Sequence, residues 1–380
     1  MEKLDLENIR KKIDEIDAEL AVLLEERMKK VLEVAAYKKA NNLPVRDKAR
    51  EAVVLAKSVE RLKNPAYASA LKKIMTQVIE VSCEQEDTVL RREAKQPEWA
   101  RNAEESLRIG YQGVPGAYSH LAVGKYFAGC RRSERNYMLF EDVAQAVREG
   151  EIDYGLLPIE NSSTGGITEV YDLIRRYGCS IVGEKCIKIE HHLLACPGAS
   201  LEKIREVYSH PQGFAQCRDF FRQYPQMAQI PYYNTAKGAE LVSSKKTDYM
   251  AAVAGIQAAE LYGLEVLAAG INANSTNYTR FFVIAEKQKK TERADKITLV
   301  VSLKHEPGSL YRMLGGFYNN GLNMLSIESR PIEGKPWEYF FHIDVSGNLG
   351  DENVKKALSE VGDCCSYFKV LGNYVGDKSL

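Results

Sequence analysis

Apolar residues recur at steps of three and four along the N-terminal part of the chain. The series runs through Leu6, Ile9, Ile13, Ile16, Leu20 and Leu23. This spacing predicts a helix over 6–40, which the sequence of 41–44 should end. Similar patterns predict helices over 47–63 and 66–92. Two short helices cannot cover so long an apolar stripe, so we expect this region to pair with a second copy.

Two basic residues lie on the same helix face as this apolar stripe. Arg27 occupies the next position of the series, and Lys38 follows about three turns later, at 3.6 residues per turn, on nearly the same face. A buried cation without a partner costs several kcal/mol, so these side chains should meet an anion. A small anionic substrate is one interpretation, and a dimeric coiled coil with solvated charges is the other.

Beyond residue 106 the pattern changes to short apolar runs that alternate with helical stretches. Strands are predicted near 107–111, 154–159 and 180–183, and helices near 118–127, 142–149 and 168–177. This order predicts an α/β region, long enough for two lobes with a cleft between them.

A charged stretch at 287–296 precedes a third pattern. A strand from Ile297 is followed by a helix with Pro307 in its first turn, two strands, a helix and a last strand. The order βαββαβ is typical of the ferredoxin-like arrangement. The expected fold class is therefore multidomain. It comprises an all-α helical domain over 1–92, a two-lobed α/β domain over 107–286 and an α+β ferredoxin-like domain over 296–375.

Composition supports this division and narrows the class of protein. All 27 glycines lie at or beyond Gly110, which fits an all-helical first region. Lys+Arg and Asp+Glu both number 52, so no net charge favours nucleic acid or a membrane surface. No stretch approaches the roughly 18 apolar residues of a membrane helix, and no signal peptide is apparent. The eight scattered cysteines indicate reduced cytoplasmic thiols without a metal site.

Polar residues recur on single faces of the predicted helices. They are Asp47, Arg50 and Glu51 on the second helix, and Ser82 and Glu86 on the third. Arg10 lies about 100° round the first helix from Arg27, so it could serve a partner chain more easily than its own. The set contains no nucleophile–base pair. It suits a dianion whose reaction needs orientation and electrostatic stabilisation.

The helical region resembles the all-helical chorismate mutases over about 1–92. The matching positions are Arg10, Arg27, Lys38, the stretch 44–51, Ser82 and Glu86. The resemblance implies that Arg27 and a partner's Arg10 grip the substrate carboxylates, with Arg50 in support. It implies that Lys38 donates to the ether oxygen, while Asp47 and Glu51 contact the hydroxyl or order the cations. Glu86, where many relatives have glutamine, donates only when protonated, so mutase activity should rise toward acid pH.

Four polar loops follow predicted strands of the α/β region, at 110–119, 158–166, 208–212 and 277–281. Strand-end loops that converge in a cleft are the usual ligand site of such folds. A single such loop is more often a helix cap, but four together favour a site. The first loop lacks the spacing of a nucleotide-binding motif. His191 and His192 have no metal-ligand spacing and are interpreted as structural.

This region resembles the prephenate dehydratases over about 107–286. The motifs are Gly-Ala-Tyr-Ser-His at 116–120, Leu-Pro-Ile-Glu-Asn-Ser at 157–162, Tyr-Ser-His-Pro-Gln at 208–212 and Thr-Arg-Phe at 279–281. The resemblance implies a two-lobed fold like type II solute-binding proteins. It also implies that Thr279 donates a proton to, or polarises, the leaving hydroxyl. The candidate residues that orient the substrate are Asn161, Ser209, Gln216 and Arg280.

The C-terminal region resembles an ACT domain, on Pro-Gly-Ser-Leu at 307–310 and Glu-Ser-Arg-Pro at 328–331. The resemblance implies an amino-acid pocket between paired domains. Its candidate effector-binding residues are Gly308, Ser309, Leu310, Glu328, Ser329 and Arg330. L-phenylalanine is the expected effector, and it must bind one conformational state better than another. A dimerisation domain without a ligand is the alternative.

The order of the three regions resembles the bifunctional chorismate mutase–prephenate dehydratase family of phenylalanine biosynthesis. That family implies chorismate and prephenate as substrates, feedback by L-phenylalanine, no cofactor or metal, no nucleic acid and no membrane. It implies a cytoplasmic homodimer, which could pair into a tetramer. Two alternatives are open: a non-enzymatic amino-acid-sensing regulator, and an enzyme whose dehydratase substrate is arogenate.

Overall fold

A computed structural model of the chain describes residues 6–41, 48–91, 106–274 and 276–378. The chain divides into two compact units, residues 1–95 and 96–380. Across the parts that are described, no helix is long and apolar enough to cross a membrane.

The first unit consists of helices. They are α1 (Leu6–Ala40), α2 (Lys48–Glu60), a 3-10 turn (Pro65–Tyr67) and α3 (Ala68–Arg91). Asn64 caps the turn by accepting a hydrogen bond from the Ala66 backbone N–H at 3.0 Å. The helix α1 lies where the apolar spacing predicts it, and it packs on α3 around the buried Val31 and Ala35.

The apolar stripe of α1 is largely uncovered in the single chain. The exposed fractions are 60% for Leu6, 49% for Ile13, 63% for Ile16, 50% for Leu20 and 62% for Leu23. By contrast, Ala35, near the other end of the helix, is fully buried. The N-terminal half of α1 therefore projects an apolar face that α2 and α3 do not cover.

The α/β domain of the second unit has two lobes. The first lobe contains β1 (Leu107–Gln112), α4 (Tyr118–Tyr126), β2 (Arg132–Tyr137), α5 (Phe140–Arg148), β3 (Tyr154–Asn161), β4 (Gly165–Gly166), α6 (Thr168–Tyr177), β5 (Ser180–Lys188) and β11 (Tyr278–Ala285). The second lobe contains β6 (His192–Ala195), β7 (Glu206–Ser209), α7 (Pro211–Gln216), α8 (Arg218–Gln223), β8 (Ala228–Pro231), α9 (Thr235–Lys245), β9 (Met250–Ala254), α10 (Ile256–Tyr262) and β10 (Glu265–Ala268). The chain crosses between lobes twice, after β5 and before β11.

Each lobe is built on a mixed sheet. The strand order is β2-β1-β3-β11-β5 in the first lobe and β10-β6-β9-β7-β8 in the second. Helices cover both faces of the first sheet, so its central strands are buried on both sides and read as unbroken apolar runs. Leu156 and Leu157 on β3, and Phe282 and Val283 on β11, are all fully buried.

The C-terminal domain has the predicted order βαββαβ. Its elements are β12 (Lys296–Leu303), α11 (Ser309–Asn319), β13 (Met324–Ile332), β14 (Lys335–Ser346), α12 (Glu352–Cys364) and β15 (Cys365–Tyr374), with strand order β13-β14-β12-β15. The prediction that Pro307 lies in the first turn of the helix is wrong. Gly308 has a φ of +81°, a left-handed conformation that glycine adopts without strain, and α11 begins only at Ser309.

The two domains of the second unit share a continuous sheet and a common core. Strand β15 pairs with β5 at Gly372 and Ile181. A Cβ on Gly372 would lie 2.2 Å from the Ile181 carbonyl oxygen, so only glycine permits this approach. One face of the C-terminal sheet packs on α11 and α12, while Tyr374 on the other face joins the core around Phe282. The C-terminal domain therefore completes the first lobe.

Candidate functional site

In the helical unit, polar residues meet where α1 packs on α3. The Arg27 guanidinium Nη1 donates to Ser82 Oγ and to the Val78 carbonyl oxygen, the latter at 3.3 Å. Ser82 is only 4% exposed, and its own proton goes to the Val78 oxygen. The structure thus places two of the candidate site residues, Arg27 and Ser82, in direct contact, and this contact fixes the Arg27 guanidinium.

Glu51 on α2 carries a buried carboxylate oxygen. No hydrogen-bond donor for Glu51 Oε1 lies among the described residues. A buried acceptor without a donor is costly, and a ligand hydroxyl or a cation would relieve that cost. Lys38 is half-buried on α1, and Arg50 is exposed at the start of α2. Asp47 and the side chain of Glu86 lie outside the described residues.

Arg10 is far from Arg27 within one chain. The two residues lie on the same unbroken helix and are 17 positions apart, which is about 25 Å at 1.5 Å per residue. Arg10 is also exposed. The structure therefore does not bring Arg10 to the Arg27 group of its own chain.

In the α/β domain, Asn161 and Thr279 face each other across β3 and β11. The Asn161 amide nitrogen donates to Asn277 Oδ1 at 2.8 Å, Thr279 Oγ1 at 3.0 Å and the Tyr278 carbonyl at 3.1 Å. Its amide oxygen accepts from the Ser163 and Thr164 backbone N–H groups at 3.0 and 3.1 Å. With both ends of the amide engaged, Asn161 has one orientation.

The Thr279 hydroxyl is left able to donate. Its oxygen accepts from Asn161, and no acceptor for its proton is found in the described parts of the domain. Thr279 is half-buried at the end of β11 where the lobes meet. A hydroxyl that accepts a fixed hydrogen bond and retains a free proton can pass that proton to a bound ligand.

Arg280 follows Thr279 but projects from the opposite face of β11. Its guanidinium donates to Asp344 Oδ2 at 2.5 Å, Glu160 Oε2 at 3.1 Å and Glu184 Oε2 at 3.3 Å. Burial is the largest single influence and would lower the pKa of Arg280, but the combined charges of its neighbours, led by Asp344, hold that pKa above its ordinary value. Thus Arg280, predicted to orient the substrate, is engaged away from Thr279 and Asn161.

Ser209 and Gln216 occupy different surroundings from Thr279. Ser209 is fully buried, and its hydroxyl donates to the Val253 carbonyl at 2.8 Å, which joins β7 to β9. The structure therefore does not open Ser209 to the cleft. Gln216 Oε1 lies 2.8 Å from His191 Nε2, and burial lowers the pKa of that histidine. Both nitrogens of the neutral imidazole are engaged, since His191 Nδ1 lies 3.2 Å from the Tyr118 hydroxyl.

Direct hydrogen bonds join the two lobes across the cleft. Gln212 Nε2 donates to Thr164 Oγ1 at 3.3 Å, and the Tyr262 hydroxyl donates to the Pro115 carbonyl at 2.9 Å. Both first-lobe acceptors belong to the polar loops at 110–119 and 158–166 that the sequence identified. Sequence reasoning missed Asn277, which is 1% exposed and bonds Asn161. The available signal was a polar residue placed directly before an apolar strand.

The C-terminal domain contains a cavity of about 150 Å³ beside the turn at Gly308. It is lined by Leu303, Lys304, His305, Glu306, Ser309, Leu310, Trp337, Glu338, Tyr339 and Phe341. Apolar rings beside groups of both charges can hold a small amino acid. Of the predicted effector residues, Ser309 and Leu310 line this cavity.

Glu328 and Arg330 instead face the α/β domain. Arg330 Nη2 forms an ion pair with Asp172 Oδ2 on α6 at 2.7 Å. A Cβ on Gly166 would lie 3.4 Å from the Glu328 carboxylate. Ser329 projects from the other, exposed face of β13. Within one chain, the structure does not bring the two predicted effector motifs together. No group of three or more metal-binding side chains occurs within the described ranges.

Known families match each part of the chain. Residues 9–87 match chorismate mutase type II, residues 109–289 match prephenate dehydratase and residues 297–363 match the ACT domain. The bifunctional chorismate mutase/prephenate dehydratase of Escherichia coli (strain K12) is 37% identical over 380 residues, which cover 96% of this chain and 95% of the relative.

Solved structures match the greater part of the chain. Prephenate dehydratase from Arthrobacter aurescens, in complex with L-Phe, is 31% identical with a TM-score of 0.64 and covers 71% of this chain and 90% of its own. A structure described as GqqA, a novel type of quorum quenching acylase, is 31% identical with a TM-score of 0.66 and covers 71% of this chain and 98% of its own. Because the Escherichia coli relative is 37% identical over nearly the whole of both chains, and all three family models match, the chain belongs to the bifunctional chorismate mutase/prephenate dehydratase family.

Proposed function

We propose that the chain rearranges chorismate to prephenate at the Arg27 group and converts prephenate to phenylpyruvate at the Asn161–Thr279 pair. Both activities accord with its family. The observation that carries the residue assignment is the hydrogen bond from Asn161 to Thr279 Oγ1 at 3.0 Å, which leaves the threonine proton to be donated. The Thr279 hydroxyl is thereby available as the proton donor that the dehydration requires.

In the proposed dehydration, two bonds of prephenate break. The C–C bond to the ring carboxylate breaks and releases CO₂, and its electron pair makes the ring aromatic as the C–O bond to the ring hydroxyl breaks. The departing hydroxide takes a proton and leaves as water. Thr279 supplies that proton, and the Asn161 amide stabilises the negative charge that develops on Oγ1. A proton from solvent restores the Thr279 hydroxyl before the next turnover. Asn161 is therefore a positioning residue for Thr279.

In the proposed rearrangement, one C–O bond breaks and one C–C bond forms within chorismate, without a covalent enzyme intermediate. Arg27, held by Ser82, binds a substrate carboxylate. Lys38 donates to the ether oxygen, which gains negative charge. Glu51 Oε1 accepts from the substrate hydroxyl, which would satisfy this buried oxygen. Asp47, Arg50 and Glu86 keep the roles that the resemblance implies.

The helical site is proposed to be completed by a second copy of the chain. The uncovered stripe of α1 offers an apolar surface for a partner helix. Arg10 lies about 25 Å along α1 from Arg27, so only a partner's Arg10 could join the site. The protein is proposed to be a homodimer, which could pair into a tetramer.

Complementation between two inactive variants tests this arrangement. Arg10→Ala and Arg27→Ala should each lose mutase activity. When they are mixed under conditions of subunit exchange, hybrid dimers carry one site with both arginines, so about a quarter of the activity should return in a random mixture of two-fold dimers. No recovery from a mixture whose hybrids are verified by mass spectrometry would refute the shared site.

L-phenylalanine is proposed as an allosteric effector bound at the cavity beside Gly308. Ser309 and Leu310 line that cavity together with Trp337 and Tyr339. The Arthrobacter relative was solved in complex with L-Phe, which supports this ligand class. A cytoplasmic location is proposed because the eight cysteines are all free thiols.

The first experiment follows chorismate loss and phenylpyruvate formation separately with purified protein. Both signals, and their reduction by L-phenylalanine, are expected. Chorismate loss with accumulating prephenate would contradict prephenate as the dehydratase substrate and favour arogenate. Arogenate would then be added directly to the purified protein as the substrate. Neither signal would favour the non-enzymatic regulator.

A further inference from the structure

The surface shared by the α/β domain and the C-terminal domain holds a cluster of buried charges that the proposed mechanism does not use. Glu184 and Asp344 side chains are each 2% exposed, Arg280 is 11% exposed and Lys296 is 13% exposed. Lys296 Nζ lies 2.9 Å from Glu184, and Arg280 Nη1 lies 2.5 Å from Asp344. Two buried cations thus meet two buried anions where the two domains join.

Stability is a poor explanation for this cluster. A buried ion pair gains little net free energy over well-packed apolar side chains, because desolvation offsets the attraction. A buried ion pair does, however, fix geometry, since moving either partner leaves an uncompensated charge. The cluster therefore constrains where β11 lies relative to the C-terminal sheet.

The constraint acts directly beside the proposed proton donor. Arg280 is the neighbour of Thr279 on β11, and the register of β11 against β3 shifts between Arg280 and Phe281. Such a bulge sets the direction of the adjacent side chains. Thr279 faces the Asn161 amide on one side of the strand, while Arg280 is held by Asp344 on the other. A displacement of Arg280 would therefore be passed to Thr279 through a single peptide unit.

Asp344 is in turn fixed by the C-terminal domain. Its Oδ1 accepts from Thr298 Oγ1 at 2.6 Å, and its Oδ2 accepts from Ser326 Oγ at 3.0 Å. Thr298 lies on β12 and Ser326 lies on β13, the strand that also carries the Glu-Ser-Arg-Pro motif. Asp344 therefore responds to any shift among three strands of that sheet.

We propose that Arg280 is a positioning residue through which the C-terminal domain holds Thr279 against Asn161. Asp344 is its partner in the C-terminal domain. The C-terminal domain is thus required for full dehydratase turnover even without an effector. The regulatory part of this inference rests on the proposed function: L-phenylalanine lowers turnover by shifting Asp344 and loosening the hold on Thr279.

Asp344→Asn tests the proposal, because it removes the charge and nearly preserves the shape. We expect kcat for prephenate to fall by about 10- to 100-fold with KM within about threefold, since a misplacement of about 1 Å can cost that much. Asp344→Glu, which keeps the charge, should recover part of the loss. The matched control is Asp172→Asn, which breaks a separate ion pair between these domains, the one to Arg330, without touching β11. Its kcat should stay within about twofold of wild type.

The inhibition ratio, kcat without L-phenylalanine divided by kcat with saturating L-phenylalanine, separates positioning from a loss of folded protein. Because a bound ligand raises the folded fraction, each kcat is divided by the folded fraction measured by circular dichroism under the same conditions, after which partial unfolding leaves the ratio unchanged. Asp344→Asn should lower the ratio at least about fivefold while calorimetry still detects L-phenylalanine binding. If Asp344→Asn fails to fold, Thr298→Val, which removes one hydrogen bond to Asp344, should give a smaller change in the same direction.

Either of two results would overturn the proposal: equal kcat values in Asp344→Asn and Asp172→Asn, or a reduced kcat with the inhibition ratio of wild type. Wild-type protein that neither binds nor responds to L-phenylalanine would instead refute the proposed effector. In that case the comparison of kcat between the two variants still decides whether Arg280 positions Thr279.

Discussion

The two candidate catalytic sites differ in how much of each a single chain supplies. In the α/β domain, the Asn161 amide donates to both Asn277 and Thr279 within 3.0 Å, and β3 and β11 of one sheet hold Asn161 and Thr279. In the helical unit, Arg27 is fixed by Ser82, but Arg10 is about 25 Å away on the same helix. One chain therefore supplies all of the hydrogen-bonded residues of the α/β site, whereas the helical site lacks an Arg10 from its own chain.

The difference follows from the kind of element that carries each site. Neighbouring strands place residues distant in sequence side by side, so a sheet edge can assemble a complete hydrogen-bond network. A long helix separates its residues by 1.5 Å each and cannot fold back on itself. A site along such a helix needs other helices, and here the uncovered apolar stripe provides the surface for them. Variants that damage one site and spare the other test this contrast.

The largest effect is expected from Thr279→Ala. Loss of the proposed proton donor should lower dehydratase kcat by about 10²- to 10⁴-fold, with mutase activity unchanged. Thr279→Ser, which keeps the hydroxyl, should retain most turnover. Both activities would be measured on the same preparation, and substantial dehydratase turnover in the alanine variant would remove Thr279 from this role.

Arg27→Ala should show the reverse pattern, with the next largest effect. The substrate carboxylate would lose its proposed contact, so mutase kcat/KM should fall by about 10²- to 10³-fold while dehydratase activity on added prephenate stays intact. Arg27→Lys is the control, because it keeps the charge and loses the planar fork that reaches Ser82. Activity near wild type in both variants would contradict the assignment.

Acid should weaken the second unit through His342. This residue is 1% exposed and packs at a tilt against Tyr171, with ring centroids 4.5 Å apart. Neither ring nitrogen has a hydrogen-bond partner in the described structure. Burial lowers the pKa of His342 to about 4. In the unfolded chain His342 is protonated near pH 6.5, whereas in the folded chain it is protonated only near pH 4. The free energy of unfolding therefore falls as the pH decreases from about 6.5 to about 4.

The expected loss is about 2 kcal/mol of unfolding free energy between pH 7.5 and pH 5, at about 1.36 kcal/mol per unit of pKa difference. Urea unfolding at the two pH values would measure it. His342→Phe keeps a ring against Tyr171 and should reduce the pH dependence by that amount. The same pH dependence in the variant would show that other groups cause it.

The smallest effect is expected from Arg330→Ala. Turnover without effector should stay near wild type, while the L-phenylalanine concentration for half inhibition should rise about 5- to 10-fold. Asp172→Asn should raise it equally if Arg330 acts through its ion pair to α6. A rise in Arg330→Ala alone would favour direct contact with the effector, and unaltered inhibition in both variants would remove the motif from regulation.

Several features of both sites were predictable from sequence because they depend on local rules. The spacing of apolar residues by three and four predicted the helix α1, and the order of predicted strands and helices predicted the α/β and ferredoxin-like folds. Sequence motifs also put Arg27 and Ser82 in one candidate site and the loops of Asn161 and Thr279 in one cleft, although their direct contacts appear only in the structure. Periodicity and motif spacing carry this information, since they fix which residues share a face.

Other features depend on which faces meet in space, and spacing does not encode that. Sequence reasoning placed Arg280 with its neighbour Thr279, whereas strand alternation turns it toward Asp344, 64 residues later. It grouped Arg330 with Ser309, whereas β13 turns Arg330 toward Asp172. The sequence by itself determined the elements, the domain order and the chemistry available at each site. Only the tertiary structure decided which charges pair, because burial forces each cation to the nearest anion, and that neighbour depends on how separate sheets pack.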